Sequence, residues 1–201
     1  MLSRKTIVGQ FRRPHGMLGA LAGTIMACRP SNRQRNLWTV SLLDLQADDQ
    51  VLEIGCGPGV ALRQVALEVP QGSVTAVDHS PLMVKMARTK LAGQKQAHVE
   101  VGGVAALRAF DQSLTAIYSA NVIQFLPDPA ELFALARRAL APHGRIATTY
   151  QPRGSNAKSE DACDLANAVE ESMRAAGFTN VRTATLPLRP VAAVSVVGYV
   201  V

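Results

Sequence analysis

Residues 51–59 read Val51-Leu52-Glu53-Ile54-Gly55-Cys56-Gly57-Pro58-Gly59, an apolar run holding one acid, followed by three glycines at alternate positions. Such a run is a strand signal, and glycines at its end let the chain turn tightly while a ligand approaches backbone with no Cβ in the way. A nicotinamide-binding loop reads GxGxxG or GxGxxA, whereas the final place here, counted from Gly55, is Val60. GxxxxGK[ST] is also missing, which disfavours a nucleoside triphosphate site. Nineteen residues past Gly59, the segment Ala76-Val77-Asp78-His79-Ser80 ends a second apolar run in a carboxylate. In a doubly wound sheet, a carboxylate there accepts hydrogen bonds from the hydroxyls of a ribose lying across the strand ends.

Working outward, apolar runs alternate with helical stretches, the pattern of βαβ units and a mostly parallel sheet. Strands are predicted at Val51–Ile54, Ser73–Val77, His98–Val101, Leu114–Ser119 and Gly144–Tyr150. Ser80-Pro81 is a cap with proline at the first helical position, and Leu82, Met83, Met86, Ala87 and Leu91 then recur at helical spacing before Gly93. A second helix spans Pro129–Leu140, stopped by Pro142-His143-Gly144. A third opens at Ser159 and closes at Gly177, with Leu165, Ala168, Val169, Ser172, Met173 and Ala176 as its buried face. Two last strands, Asn180–Leu186 and Ala192–Tyr199, are separated only by Pro187–Val191, too short for a parallel crossover, so they form an antiparallel hairpin.

At 201 residues the chain has room for one full core, and its 48% apolar and 18% charged residues are ordinary for a globular protein. The organisation is a basic helical arm and cap over residues 1–46 and a binding domain over 47–201, forming one compact unit. The net charge of +6 is concentrated at the start: Arg4, Lys5, Arg12, Arg13, Arg29, Arg33 and Arg35 all precede the first acid, Asp44. Such an arm is either a solvated segment or a contact for nucleic acid, anionic lipid or a phosphorylated ligand. Within it, Met17, Leu18, Leu21, Ile25 and Cys28 fit a short packed helix. Ser31 is placed to cap a helix to Leu45 with an apolar stripe of Leu37, Trp38, Leu42 and Leu45. Cys28, Cys56 and Cys163 have no metal-ligand spacing and build no disulfide framework, which suits a reducing cytoplasm and predicts no metal site.

With these residues in place, the chain resembles the class I S-adenosylmethionine (SAM)-dependent methyltransferases over roughly Arg12 to Val201. The stretch ELFALARRALAPHGRI (131–146) and Ala175-Ala176-Gly177-Phe178 carry the resemblance as well as the glycine turn does. It is also similar to small bacterial methyltransferases with a Pro-x-Gly helical N-terminus, here Pro14-His15-Gly16, and in its core to the ubiquinone and menaquinone C-methyltransferases. The resemblance implies a doubly wound, seven-stranded, mostly parallel Rossmann-like sheet with an antiparallel C-terminal strand. It implies SAM as cofactor and S-adenosylhomocysteine as product. Carried over by position, Glu53 orients the methionine amino group through water, and Gly55, Cys56, Gly57 and Gly59 wrap the methionine part and the sulfonium. Asp78 holds the ribose beside His79, Met83 covers the adenine face, and Gly103 and Val104 lie at its edge. Many relatives have an acid where this chain has Gly103, so adenine recognition is left to backbone near Val104.

The acceptor belongs at the carboxyl ends of the strands, beside Ser119-Ala120-Asn121-Val122-Ile123-Gln124-Phe125, with Asn121 as the candidate for positioning it. An asparagine there is equally a turn former. A small molecule is the expected acceptor. Two other readings stand beside it: a lipid methyltransferase whose basic arm docks on anionic membrane, and a non-catalytic SAM-binding module, for which Gly103 is the only support. Nucleic acid is disfavoured, because no NPPY-like tetrad follows the fourth strand and aromatics are only 4% of residues. One competing expectation for the N-terminus is an export signal, since Arg12-Arg13 precede the apolar stretch ending at Ala27-Cys28. On the packed-helix reading, mass spectrometry of the purified protein finds the residues before Cys28 retained; their loss would establish export.

Overall fold

The computed structural model describes residues 29–152 and 157–201. The expected arm helix at Met17–Cys28 lies outside the described residues, as does everything else before Arg29. Helix α1 spans Pro30–Ser41, followed by β1 (Gln50–Ile54), α2 (Leu62–Glu68), β2 (Ser73–Asp78), α3 (Pro81–Lys90) and β3 (Ala97–Val101). After a 3₁₀ turn (Val104–Ala109) come β4 (Leu114–Ala120), a second 3₁₀ turn (Ile123–Phe125), α4 (Pro129–Ala139), β5 (Leu140–Tyr150) and α5 (Ser159–Ala175). The hairpin β6 (Thr179–Leu186) and β7 (Ala193–Tyr199) ends the chain.

These strands form one seven-stranded sheet in the order β3-β2-β1-β4-β5-β7-β6. The first five are joined in parallel, while β7 runs antiparallel between β5 and β6. This is a doubly wound, Rossmann-like sheet with the antiparallel C-terminal strand that the resemblance implies. Because β2 and β4 flank β1 on opposite sides, the chain reverses its winding direction at β1, and ligands of such sheets bind outside the strand ends at that reversal.

Alternation of side chains along the central strands builds two cores. On one face Leu52, Ile54 and Ile117 pack against Leu132, Phe133 and Ala136 of α4 and Val169 and Met173 of α5. On the other, Val51, Ala116 and Tyr118 join Leu62 and Val65 of α2, Val84 and Ala87 of α3, and Val40 and Leu43. Among the described residues no helix is long and apolar enough to cross a membrane.

Several boundaries differ from the sequence reading. Helix α1 begins at Pro30 with Arg29 in the N-cap position, so Ser31 lies inside the first turn, and the helix ends at Ser41 rather than Leu45. Its buried face holds Asn32, Arg35, Asn36, Thr39 and Val40, while Leu37 and Trp38 are half-buried. Arg35 therefore does not belong to a solvated arm. It is 2% exposed and hydrogen-bonds Gln151 Oε1 at 2.8 Å and the side-chain oxygen of Asn32. Thr39 Oγ1 donates to Thr149 Oγ1 at 2.7 Å, so polar contacts seat this helix on β5 and the residue just past it. Strand β5 starts at Leu140, four residues early, because Leu140 pairs with Leu114 before an irregularity resets the register to Ala116 and Arg145. Helix α5 buries Ala162, Ala166, Val169 and Met173, a face rotated from the expected one: Ala168 is exposed. Helix α2, only seven residues, is too short to declare a period in the sequence.

At the amino end of the sheet, opposite the turn after β1, Arg145 closes the fold. Its Nη2 lies 2.5 Å from Asp49 Oδ2 and its Nη1 3.1 Å from Asp49 Oδ1, while Nε donates to Leu43 O at 2.5 Å. Burial alone would raise the Asp49 carboxyl, but hydrogen bonds from Arg145, Thr115 and the Gln46 N–H hold it below its ordinary value. That contribution to stability is complete above the unfolded carboxylate value and is lost as pH falls through the depressed folded one. Arg145→Met leaves a buried carboxylate unpaired and is expected to cost about 3 kcal/mol at pH 7. Urea denaturation should show this deficit narrowing as Asp49 takes up a proton in acid.

Candidate cofactor site

The turn after β1 is built by three glycines with positive φ: Gly55 (+71°), Gly57 (+53°) and Gly59 (+72°). They serve different ends. The N–H groups of Gly55 and Cys56 both donate to Val77 O, at 2.8 and 3.0 Å, so the turn bends over the end of β2. A Cβ on Gly55 would collide with the side chain of Val122, which follows β4. A Cβ on Gly59 would sit 3.1 Å from Ala87 Cα and 3.2 Å from Leu62 Cδ1, so this glycine is needed where α2 meets α3. A Cβ on Gly57 meets nothing within 4 Å, which leaves open space above the middle of the turn.

Asp78, 6% exposed, clamps that middle: its Oδ2 accepts from Gly57 N at 2.8 Å and its Oδ1 from Ser80 N at 2.9 Å. A carboxylate has about four acceptor sites, so both oxygens keep capacity beyond these two bonds. Ser80 caps α3 by accepting from Met83 N. Met83 is 1% exposed, one turn into the helix. His79 is exposed, and its Nδ1 lies 3.6 Å from Asp78 Oδ1, beyond hydrogen-bond reach.

Beneath the turn, Glu53 of β1 is 1% exposed. Parallel pairing sets it level with Tyr118 of β4 on the same face, and the Tyr118 hydroxyl donates to Glu53 Oε2 at 2.8 Å. Burial is the main cause that pushes the Glu53 carboxyl up to about 8; the Tyr118 hydrogen bond opposes it and the Asp78 charge adds to it. The Cys56 thiol is pushed up further, by burial first and then by Glu53 and Asp78. It stays protonated, which argues against a nucleophilic role.

The remaining positions lie around this centre. Gly103 is exposed at the end of β3 with nothing near a built Cβ, and Val104 opens the 3₁₀ turn that follows. Gly102 N donates to Asp78 O at 3.0 Å, tying that segment to the clamp. Asn121 adopts φ +58° after β4; its N–H donates to Thr149 O at 2.8 Å and its Oδ1 accepts from Gln151 N at 2.8 Å. Its side-chain oxygen thus holds a turn together. Glu53, Cys56, Gly57 and Asp78 converge, Val122 brings the Asn121 segment against Gly55, and Gly59 faces the helices. Sequence reading missed Tyr118, whose only visible signal is a lone aromatic hydroxyl within a strand, and Arg35, which composition had grouped with the surface charges.

Residues 51–144 match the family model described as a methyltransferase domain. Over 161 residues the chain is 27% identical to an uncharacterized methyltransferase, YdaC, of Bacillus subtilis, covering 80% of this chain and 87% of that one. It is 34% identical over 98 residues to a trans-aconitate 2-methyltransferase of Variovorax paradoxus, covering 49% of this chain and 37% of the relative. The crystal structure of a SAM-dependent methyltransferase from Aquifex aeolicus superposes with a TM-score of 0.72 at 19% identity, over 89% of this chain and 98% of that one. Residues 51–144 are thus similar to methyltransferase domains, and the chain shares the fold of a SAM-dependent methyltransferase. The chain spans well under half the length of several curated relatives that it matches, the trans-aconitate enzymes among them.

The two glycines separate stability from binding. Gly55→Ala forces Val122 aside and is expected to lower the unfolding free energy by about 2 kcal/mol or more. Gly57→Ala carries only the left-handed backbone penalty, about 1 kcal/mol, but puts a methyl into the open space above the turn. Denaturation and SAM calorimetry on both variants should show Gly57→Ala losing proportionately more affinity than stability.

Proposed function

We propose that this chain transfers the methyl group of SAM to a small-molecule acceptor by in-line displacement. The observation that carries the reading is the joining of a Gly57-centred turn to the Asp78 carboxylate over a buried Glu53. The Glu53 carboxyl suits a ligand that brings an ammonium group, the Asp78 carboxylate suits that ligand's ribose hydroxyls, and the open space over Gly57 suits a ligand lying against backbone. The fold supports the same reading, as does the match of residues 51–144 to the methyltransferase family.

On this reading Glu53 receives the methionine amino group, and Gly55, Cys56 and Gly57 line the methionine part, with Gly59 setting the turn's packing. Asp78 uses its remaining acceptor capacity for the ribose hydroxyls, with His79 at the rim. Met83 lies behind the adenine, and backbone at Gly103 and Val104 receives its edge. When bound, SAM supplies a methyl carbon already made electrophilic by the adjacent sulfonium. The chain's share is alignment and exclusion of water: a nucleophile held in line about 3 to 3.5 Å from that carbon gains several kcal/mol from proximity. Asn121 is assigned to acceptor positioning through its side-chain nitrogen, since its oxygen is engaged by Gln151 N. The relative named for trans-aconitate supports a small organic acceptor.

Two measurements test this. Calorimetry should show binding of SAM and of S-adenosylhomocysteine, with Asp78→Ala weakening both by about tenfold or more; unchanged uptake in that variant sinks the site assignment. Incubating the protein with methyl-labelled SAM and a metabolite extract should label a small molecule, and label found only in macromolecules would overturn the acceptor class.

A further inference from the structure

Tyr118 is a fully buried tyrosine in the central strand β4, where a phenylalanine would fill the same volume without a polar group to satisfy. Burying a hydroxyl is costly unless it is hydrogen-bonded, and this one is spent on Glu53 Oε2 at 2.8 Å. The pairing is not an accident of side-chain reach. Glu53 and Tyr118 are register partners on adjacent parallel strands, so the sheet itself sets the hydroxyl beside the carboxyl.

We propose that Tyr118 is a positioning residue of the cofactor site, acting through Glu53: its hydroxyl fixes the carboxyl's orientation and supports the ionised form that receives the cofactor's amino group. The inference rests on the reading that Glu53 faces SAM, and it goes beyond it by assigning a partner that neither the motif nor its spacing indicates.

The electrostatics explain why such a partner is needed. Among the described residues, the titratable groups that bear on Glu53 and Tyr118 are Asp78 at the end of β2, Cys56 in the turn and Glu68 of α2. All are acids or neutral, so with the cofactor absent the surroundings favour a protonated Glu53. Arrival of an ammonium group requires that proton to leave for solvent. A hydrogen bond donated to the carboxylate lowers the cost of that step, because it is stronger to the charged form than to the neutral one. Cofactor affinity therefore rises with pH until Glu53 ionises unaided, near 8 in the wild-type protein, and then levels.

The test is SAM binding by calorimetry from pH 6 to 9.5 for wild type, Tyr118→Phe and Glu53→Gln. In Tyr118→Phe the levelling point moves up by about one pH unit and affinity at pH 7 falls about tenfold, the two proteins converging at high pH. Titration of the ligand's own amino group is common to all three proteins and cancels in the ratios. Glu53→Gln, which cannot titrate but can still accept from Tyr118, flattens the protein's part of the pH dependence. A Tyr118→Phe curve that superposes on wild type, or one displaced equally at every pH as a packing defect would give, overturns the inference while leaving the cofactor reading intact. Persistence of the wild-type pH dependence in Glu53→Gln also overturns it. Failure of the wild-type protein to bind SAM removes the cofactor reading itself, and this inference with it.

Discussion

One hydrogen bond organises the functional end of this molecule: the Gly57 N–H, at the crest of the turn after β1, donates to the carboxylate that ends β2. The turn needs left-handed backbone at Gly55, Gly57 and Gly59, and a chain segment so built has few internal hydrogen bonds of its own. Anchoring its crest on Asp78 and its base on Val77 O makes it rigid. The same carboxylate also receives the Ser80 N–H that starts α3, so a single side chain joins strand, turn and helix at the point where the sheet reverses direction. Everything assigned to cofactor recognition is arranged around that joint.

A second feature follows from what the sheet must do at its two ends. At the amino end it is closed by a paired charge, Arg145 on Asp49, with further bonds to Leu43 O and Thr115 O, an arrangement that suits a structural latch. At the carboxyl end the covering element is different. Helix α1 sets Arg35 on Gln151 and Thr39 on Thr149, with Asn32 and Asn36 buried beside them, where an amphipathic helix ordinarily presents apolar side chains. Replacing a buried polar interface with an apolar one is often neutral or stabilising, so the polarity here is not explained by stability. It sits beside the Asn121 turn, which Gln151 N also holds, so the polar face of α1 and the turn after β4 meet at one residue, Gln151.

Much of this was legible in residue order. The glycine turn, the acid ending β2, the Ser80-Pro81 cap and the short spacing before the last strand each state a local constraint that only a few backbone conformations meet. The failures have a common cause as well. The α1 stripe was read from Leu37, Trp38, Leu42 and Leu45, but burial went to the polar face, because its partners, Thr149 of β5 and Gln151 just past it, come more than a hundred residues later. The face of α5 was set by packing against β6, β7 and α4, and β5 began early because Leu114 offered Leu140 a pairing partner across a bulge.

What the sequence determined by itself is the local chemistry: where the chain turns, where helices cap, and that one acid stands within the first motif and another ends the second apolar run. Tertiary structure decided which of these groups meet. Glu53 and Tyr118 are sixty-five positions apart and become partners only through the register of two parallel strands, a long-range choice made by the packing of both sheet faces. Local propensities depend on the few residues around each position, whereas the ionisation of a buried carboxyl depends on whatever the fold sets within a few ångströms of it, and no stretch of sequence contains that neighbourhood.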